Sequence, residues 1–376
     1  MRPVFIRASG WLLAAGLLAA DPSWAQSRAE QYVQARQAYE EQASAYWQSV
    51  VDKRRLRNAK RRNSQEIQPD DYVLTQPPAY TGPPRPPELT PERDPAPPER
   101  PPEPVVADFL RHAAEQFRFV PQRPESELAF KRAYARAAVQ AGLTREQVVR
   151  IYAFETGGNG TYDVQSGLTH PRPGSRAVSS AIGYNQLLST NTVGLLAEFG
   201  ERFVAVLRDK AARLIGEPKQ AMERKIAALG RMIAYSRSVP RVWSAHDKLA
   251  KTTPGGMGIH AAILDIDLGP MLQTQKLLNS VLFARTKGYA APLTGAELEL
   301  LNLTGDGNGI DMVLMPKAWR DRVPTANFFQ QSGYERNPIA RRSVTVAGLI
   351  AAIESHMDRA AQQPGARDLA AAFSGS

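Results

Sequence analysis

The sequence contains no cysteine and only five histidines among its 376 residues. Without cysteine there is no disulfide, so a folded domain must be stabilised by its hydrophobic core. There is also no thiol to accept a lipid anchor. Neither an H-E-x-x-H zinc motif nor a G-x-S-x-G esterase motif occurs, which argues against zinc hydrolases and serine esterases. We predict no metal site and no cofactor.

No stretch alternates apolar and polar residues cleanly enough over several segments to predict the half-buried strands of a sheet. Helical periodicity is present instead. It predicts helices over about 126–141, 191–214, 218–238, 268–286 and 345–362. The predicted fold class is therefore mainly α.

The N-terminus has the three parts of a secretory signal peptide. The basic start MRPVFIR precedes the apolar run ASGWLLAAGLLAA, and a small-x-small site follows at Ser23-Trp24-Ala25. The apolar run is shorter than the roughly 20 residues that span a bilayer, although an uncleaved anchor is an alternative. We predict a signal peptide over residues 1–25 and a periplasmic or secreted protein.

The formal net charge is +10. For an exported protein, this favours anionic cell-wall polymers or membrane surfaces as partners and argues against nucleic acid. The alternative is that the charge only affects solubility. Seven of the ten residues in KRRLRNAKRR (53–62) are Lys or Arg, so this run is either an electrostatic anchor or a solvated helix end.

Composition divides the rest of the chain into three parts. Residues 26–76 are polar, basic and helix-prone. Residues 77–104 hold 13 of the 29 prolines, which favours a semi-rigid polyproline II linker. Residues 105–372 have a globular composition, with an inserted helical segment at about 200–260.

The stretch REQVVRIYAFETGG (145–158) predicts a helix with an acidic residue on its apolar face. Thr144 and Gln147 form a capping box, and Gly157 marks the end. Glu155 follows Val148 by seven residues and shares its face. Burial and the negative end of the helix dipole should both raise the pKa of Glu155. A carboxyl that stays protonated near neutral pH suits a general acid, whereas a structural ion pair is the alternative.

Two stretches together resemble the lytic transglycosylase domain of the goose-type-lysozyme-like superfamily. FETGG stands where that family has a Glu-Ser dipeptide, and AIGYNQLL stands for its Gly-x-Met-Gln segment. LELLNLTGDGNG matches the family's Ala-Tyr-Asn-x-Gly segment through Asn302, and RVPTANFFQQSGY matches Pro-Glu-Thr with a following tyrosine. The resemblance covers about residues 130–335 and implies a lysozyme-like helical domain.

The resemblance also implies a reaction and a set of residues. Family enzymes cut the bond between N-acetylmuramic acid and N-acetylglucosamine in peptidoglycan, and one glutamate acts first as acid and then as base. The product carries a 1,6-anhydro end. Glu155 takes the catalytic role here, and the residues implied to bind or orient the glycan are Thr156, Gly183, Tyr184, Gln186, Asn302 and Tyr334.

Several positions depart from the family pattern. Thr156 replaces serine, Asn185 stands where methionine is usual, and Phe328 aligns with the family tyrosine, which leaves Tyr334 as the substitute. The departures at Asn185 and Phe328 favour the alternative of a glycan-binding scaffold without catalysis. A muramidase of the same fold that uses water is a second alternative.

Other motifs are weaker. Asp163 is the one obvious nearby candidate for a second carboxylate, and we interpret it as a loop acid. GDGNGID (305–311) lacks the spacing of a calcium loop and predicts a tight turn. GMGIHA (256–261) follows no strand, so a dinucleotide site is not expected. Phe328 and Phe329 are expected to pack in the core.

Overall fold

A computed structural model describes residues 22–89, 102–168 and 175–375. Most of the predicted signal peptide lies outside the described residues, as do residues 90–101 of the Pro-rich segment and 169–174 of the loop after Glu155. No helix within the described part of the chain is long and apolar enough to cross a membrane.

The described residues are mainly helical, as predicted. No strand occurs among them, and backbone pairing of the β type is limited to isolated bridges such as Gln165 with Ile182. The α-helices are α1 Pro22–Arg62, α2 Val106–Phe117, α3 Glu127–Gln140, α4 Arg145–Thr156, α5 Ser189–Ala211, α6 Gly216–Ser236, α7 Trp243–Thr252, α8 Pro254–His260, α9 Leu268–Thr286, α10 Gly295–Thr304, α11 Asp306–Leu314, α12 Lys317–Arg320, α13 Gln331–Arg336, α14 Pro338–Ser343, α15 Val346–Ala361 and α16 Pro364–Ala372.

The five periodic segments of the sequence correspond to α3, α5, α6, α9 and α15, each with ends within a few residues of those predicted. The predicted capping box of α4 is also confirmed: the Thr144 hydroxyl accepts from the Gln147 N–H, and the Gln147 side chain accepts from the Thr144 N–H. Gly157 ends α4 in the left-handed conformation, with φ of 64°.

The chain divides into two compact units, one of residues 1–49 and 77–99 and the other of residues 50–76 and 100–376. In the first unit, Tyr80 of the Pro-rich segment packs edge-on against Tyr32 and Tyr39 of α1. The Arg36 guanidinium lies over the Tyr80 ring. This division does not follow the predicted order of a helical region, a linker and a single domain, because residues 50–76 belong with the second unit.

The basic run 53–62 is largely engaged within the second unit. Arg54 donates to the backbone carbonyls of Asn327 and Phe329. Arg57 is fully buried, donates to the Asp71 carbonyl and stacks on the Tyr72 ring. Lys60 pairs with the Asp71 carboxylate, and Arg61 pairs with that of Asp311. These cations stabilise the fold, so contact with an anionic surface stays a prediction for the exposed Arg55 and Arg62 alone.

The core of the second unit is apolar and contains residues from α2, α5, α6, α8 and α9, among them Phe109, Phe117, Leu196, Leu229, Ile259 and Leu272. Beside this core, α4 packs against α10 and α15. The contact between α4 and α10 brings the last turn of one helix next to the polar residues of the other. It creates the candidate site.

Candidate active site

Glu155 lies in the last turn of α4 and is half-buried. Burial raises the pKa of its carboxyl to about 7, because the ionised form loses contact with water. Three neighbours act in the opposite direction: the Asn302 amide, the positive charge of Lys276 and the side chain of Glu299 all favour the carboxylate. The net effect is a pKa well above the ordinary value of a glutamate.

Asn302 comes from the last turn of α10 and contacts Glu155 directly. Its Nδ2 donates to Oε1 of Glu155 at 2.5 Å. An amide donor at this distance stabilises the carboxylate more than the neutral acid, and it fixes the rotamer of the carboxyl group. The site thus has a donor ready for the anion that remains after Glu155 gives up its proton.

Glu299 precedes Asn302 by one turn of α10, and its side chain is 1% exposed. Its carboxyl is hydrogen-bonded to that of Glu155, and the burial and the charge of Glu155 together raise the pKa of Glu299 well above its ordinary value. Oε2 of Glu299 has no hydrogen-bond partner among the described residues. Two carboxyls in such contact share a single negative charge, and Glu299 is the one that stays neutral.

The paired carboxyls open onto a cavity of about 680 Å³. That volume falls within the range usual for sites that bind small molecules. Gln186, Lys276, Asn279 and Asp306 contribute polar groups to its lining, and Leu188, Leu195 and Leu301 contribute apolar surface. The cavity therefore combines apolar surface with a few polar groups next to a titratable acid.

Three of the predicted site residues line this cavity together: Glu155, Gln186 and Asn302. Gln186 adopts a left-handed backbone, with φ of 43°. Its Nε2 donates to the carbonyls of Gly183 and Val164 at 2.9 and 3.2 Å. Its amide nitrogen is thus used to hold the turn, and Oε1 is the atom that remains for a ligand.

Thr156 and Gly183 do not line the cavity. The Thr156 hydroxyl donates to the carbonyl of Tyr152 one turn earlier in α4, at 2.7 Å. Gly183 has φ of 83°, and a Cβ there would lie 3.0 Å from the amide of Gln273. The prediction that Gly183 supports a sugar ring is therefore wrong, because a buried glutamine occupies that space.

The two tyrosines that were predicted to bind substrate are also buried away from the cavity. Tyr184 packs against the rings of Tyr134 and Tyr152, and its hydroxyl donates to Glu127. Tyr334 packs against Phe329. Both tyrosines stabilise the core, and the assignments to substrate binding are corrected accordingly.

Two other sequence interpretations are resolved by the contacts. Asp163 pairs with Arg123 at 2.7 Å and is a loop acid, as interpreted. Asn185, at the position of the family methionine, is buried: it accepts from the Tyr134 hydroxyl and donates to the Gln273 carbonyl. The polar residue is tolerated there because both ends of its amide have partners.

Sequence reasoning missed Glu299, Lys276 and the residues of α7 that reach the cavity. For Glu299 a signal was present, since it stands within the apolar run LELLNL in the same way that Glu155 stands on an apolar face. For Lys276, a lone lysine in a long helix carries no such signal.

Among the described residues, no group of three or more His, Cys, Asp or Glu side chains could hold a metal ion. Comparison with models of known families, with curated proteins and with solved structures gave no match. The chemistry that this cavity supports must therefore be inferred from its own residues.

Proposed function

We propose that this chain is an exported peptidoglycan lytic transglycosylase with a lysozyme-like helical domain, acting in the periplasm or outside the cell. The observation that carries the proposal is the environment of Glu155. Its carboxyl faces a cavity of about 680 Å³ and burial raises its pKa to about 7. A group that is partly protonated at neutral pH can give a proton and take one back.

The proposed reaction has two proton transfers and consumes no water. Glu155 protonates the oxygen of the bond between N-acetylmuramic acid and N-acetylglucosamine, and the C1–O bond breaks. The Glu155 carboxylate then takes the proton of the muramyl 6-hydroxyl, and O6 bonds to C1 to give the 1,6-anhydro end. Asn302 stabilises the carboxylate between the two transfers, and Lys276 contributes its positive charge.

The position of Glu299 supports this single-acid reaction over ordinary hydrolysis. Retaining and inverting glycosidases use two carboxyls separated by roughly 5 to 9.5 Å, with the sugar or a water molecule between them. Glu299 is hydrogen-bonded to Glu155, so neither fits between the two. Because it remains neutral and buried, Glu299 is a positioning residue.

The test is digestion of purified sacculi by the full-length protein, with mass spectrometry of the released fragments. We expect 1,6-anhydro ends from the wild type and none from Glu155→Gln, whereas the exposed control Glu223→Gln should retain full activity. Reducing ends, heavier by one water, would instead identify a muramidase. Binding to sacculi without cleavage by the wild type would identify a scaffold and overturn the proposal.

A further inference from the structure

One wall of the cavity comes from the inserted helical segment. Arg241 precedes α7, Trp243 begins this helix, and His246 lies one turn further on; all three line the same cavity as Glu155 and Glu299. None of these three residues lies in a motif that carries the family resemblance. Their contribution gives the insertion a role at the site.

Trp243 is 61% exposed, although tryptophan has the largest side chain and is usually well buried. An indole with this much exposure at the edge of a polar cavity offers an apolar face next to hydrogen-bonding groups. A sugar ring has the matching surface, with a flat face of C–H groups and hydroxyls around its edge. Trp243 is therefore placed to stack on one ring of a glycan.

Arg241 adds a cation beside this platform. Its side chain is exposed, and no ion pair joins it to the residues that the structure describes. A guanidinium recognises a carboxylate through two parallel hydrogen bonds. An unpaired arginine next to a stacking surface thus favours a sugar that carries a carboxylate over a neutral one.

His246 supplies an unused polar atom in the same wall. It is 8% exposed, and its Nε2 has no hydrogen-bond partner among the described residues. Gly194 permits this placement, because a Cβ there would lie 3.2 Å from Nδ1 of His246. A buried polar atom without a partner at a cavity wall is a site where a ligand hydroxyl or amide can bind.

We infer that Trp243, Arg241 and His246 form a binding subsite for a sugar bearing a carboxylate, a specificity that rests on the proposed function. Trp243 stacks on the ring, Arg241 pairs with the carboxylate, and His246 hydrogen-bonds to a ring substituent. In peptidoglycan the carboxylate has two sources, the stem peptide and the lactyl group that is exposed once the peptide is removed.

The experiment measures the affinity of full-length protein carrying Glu155→Gln, so that the glycan is not cut during binding. Three ligands of matched length separate the contributions: glycan strands with stem peptides, the same strands after amidase treatment, and chitooligosaccharides without a carboxylate. We expect Trp243→Ala to weaken all three about tenfold, which corresponds to roughly 1.4 kcal/mol. Arg241→Gln should weaken the carboxylate-bearing ligands and leave chitooligosaccharides unchanged. His246→Ala should weaken all three, as Trp243→Ala does.

The matched controls are Val242→Ala, which is exposed between the two subsite residues, and Arg202→Gln, an exposed arginine outside the cavity lining. Both should bind as the parent protein does, and thermal melting confirms that every variant folds. Loss at Arg241 with peptide-bearing strands alone identifies the stem-peptide carboxylate, and loss with amidase-treated strands alone identifies the lactyl carboxylate. Loss with both kinds of strand means that Arg241 pairs with either carboxylate.

The outcomes distinguish the subsite from the proposed reaction. If the wild type cleaves sacculi while Trp243→Ala binds every ligand normally, the subsite is wrong and the reaction stands. If the wild type does not cleave but Trp243→Ala and Arg241→Gln weaken binding as expected, the subsite stands and the reaction fails. If the parent protein binds none of the three ligands, the subsite is overturned.

Discussion

The Asn302 amide donates a hydrogen bond of 2.5 Å to the Glu155 carboxyl, although 147 residues separate the two in sequence. The packing of α10 against α4 creates this contact. Through this contact an uncharged side chain on one helix lowers the pKa of an acid on another. Its removal should therefore change the pH dependence of the proposed reaction.

Replacement of Asn302 by alanine should shift activity toward higher pH. The amide favours the ionised form of Glu155, so its loss raises the pKa of that carboxyl, by about one unit for a hydrogen bond to a charged group. In the proposed reaction the first step needs protonated Glu155. The alkaline limb of the rate profile should therefore move to higher pH, while the maximal rate falls because Glu155 is less well oriented. Sacculus digestion over a series of pH values measures both effects.

Asn308→Ala is the control for this variant, since Asn308 donates to the Thr304 carbonyl and does not line the cavity. Its profile should match the wild type. An alkaline limb in Asn302→Ala that moves downward would mean that the amide does not favour the Glu155 carboxylate.

Glu299 should tolerate glutamine better than alanine. If Glu299 is neutral and donates to Glu155, an amide of the same shape can replace it with little change in rate or pH profile. Alanine removes the donor that lowers the pKa of Glu155, so the alkaline limb should move upward and the rate should fall. The measurement is again the pH dependence of digestion by purified full-length variants.

An ionised Glu299 predicts a different dependence of the rate on pH. If it were ionised, Glu299→Gln would remove a negative charge beside Glu155, and the pKa of Glu155 would fall. The alkaline limb would then move to lower pH. That result would exclude a neutral Glu299.

Arg57→Ala should destabilise the protein strongly. The guanidinium is fully buried, donates to the Asp71 carbonyl and lies 4.3 Å from the centre of the Tyr72 ring. Its removal leaves a cavity and unpaired polar groups, at a cost of about 3 kcal/mol in the free energy of unfolding. Urea denaturation measures the difference.

Arg55→Ala provides the comparison, since its side chain is 75% exposed and pairs with Asp52 only at the surface. A change within about 0.5 kcal/mol is expected there. Equal losses in the free energy of unfolding for Arg55→Ala and Arg57→Ala would contradict the conclusion that the buried part of the basic run stabilises the fold.

His260 should make the fold sensitive to acid. The ring is buried, with Nε2 donating to the Ser180 carbonyl and Nδ1 in contact with the Thr192 hydroxyl. Burial lowers the pKa of His260 from 6.5 to about 4. Folding therefore favours the neutral ring: this stability is fully present above pH 6.5 and is lost as pH falls toward 4, by about 3 kcal/mol.

The stability of wild type and His260→Gln at pH 7 and pH 4 checks this prediction. The variant should be less stable at pH 7, and the gap should narrow or close at pH 4. A constant gap over this range would show that protonation of His260 is not coupled to folding.

The sequence predicted the parts of the fold that depend on local periodicity and capping. The α4 boundaries followed from Thr144 and Gly157, and the place of Glu155 followed from its helical face. The role of Tyr184 could not be predicted in this way, because an aromatic residue in a small-residue turn fits a ligand site and a core equally well. Its burial depends on Tyr134 and Tyr152, which only the tertiary packing brings next to it.

The residues of the candidate site divide in the same way, into those that a sequence motif predicts and those that depend on tertiary packing. Asn302 and Gln186 were identified because a motif resemblance placed them near Glu155. Trp243 carries no motif, and its position at the cavity depends on how α7 packs against α5. Contacts between helices that are distant in sequence determine such positions. The periodicity within one helix carries no information about these contacts, so the sequence pattern could not predict them.

The end of α1 has a consequence for the choice of expression boundaries. Residues 50–76 contribute Arg54, Arg57 and Val73 to contacts with the segment around Asn327 and Asp311. A truncated protein that starts at the Pro-rich segment or after it would lack these partners and expose the surface that they cover. Inactivity of such a short form would report a damaged scaffold, so assays of a minimal enzyme need residues from about 50 onward.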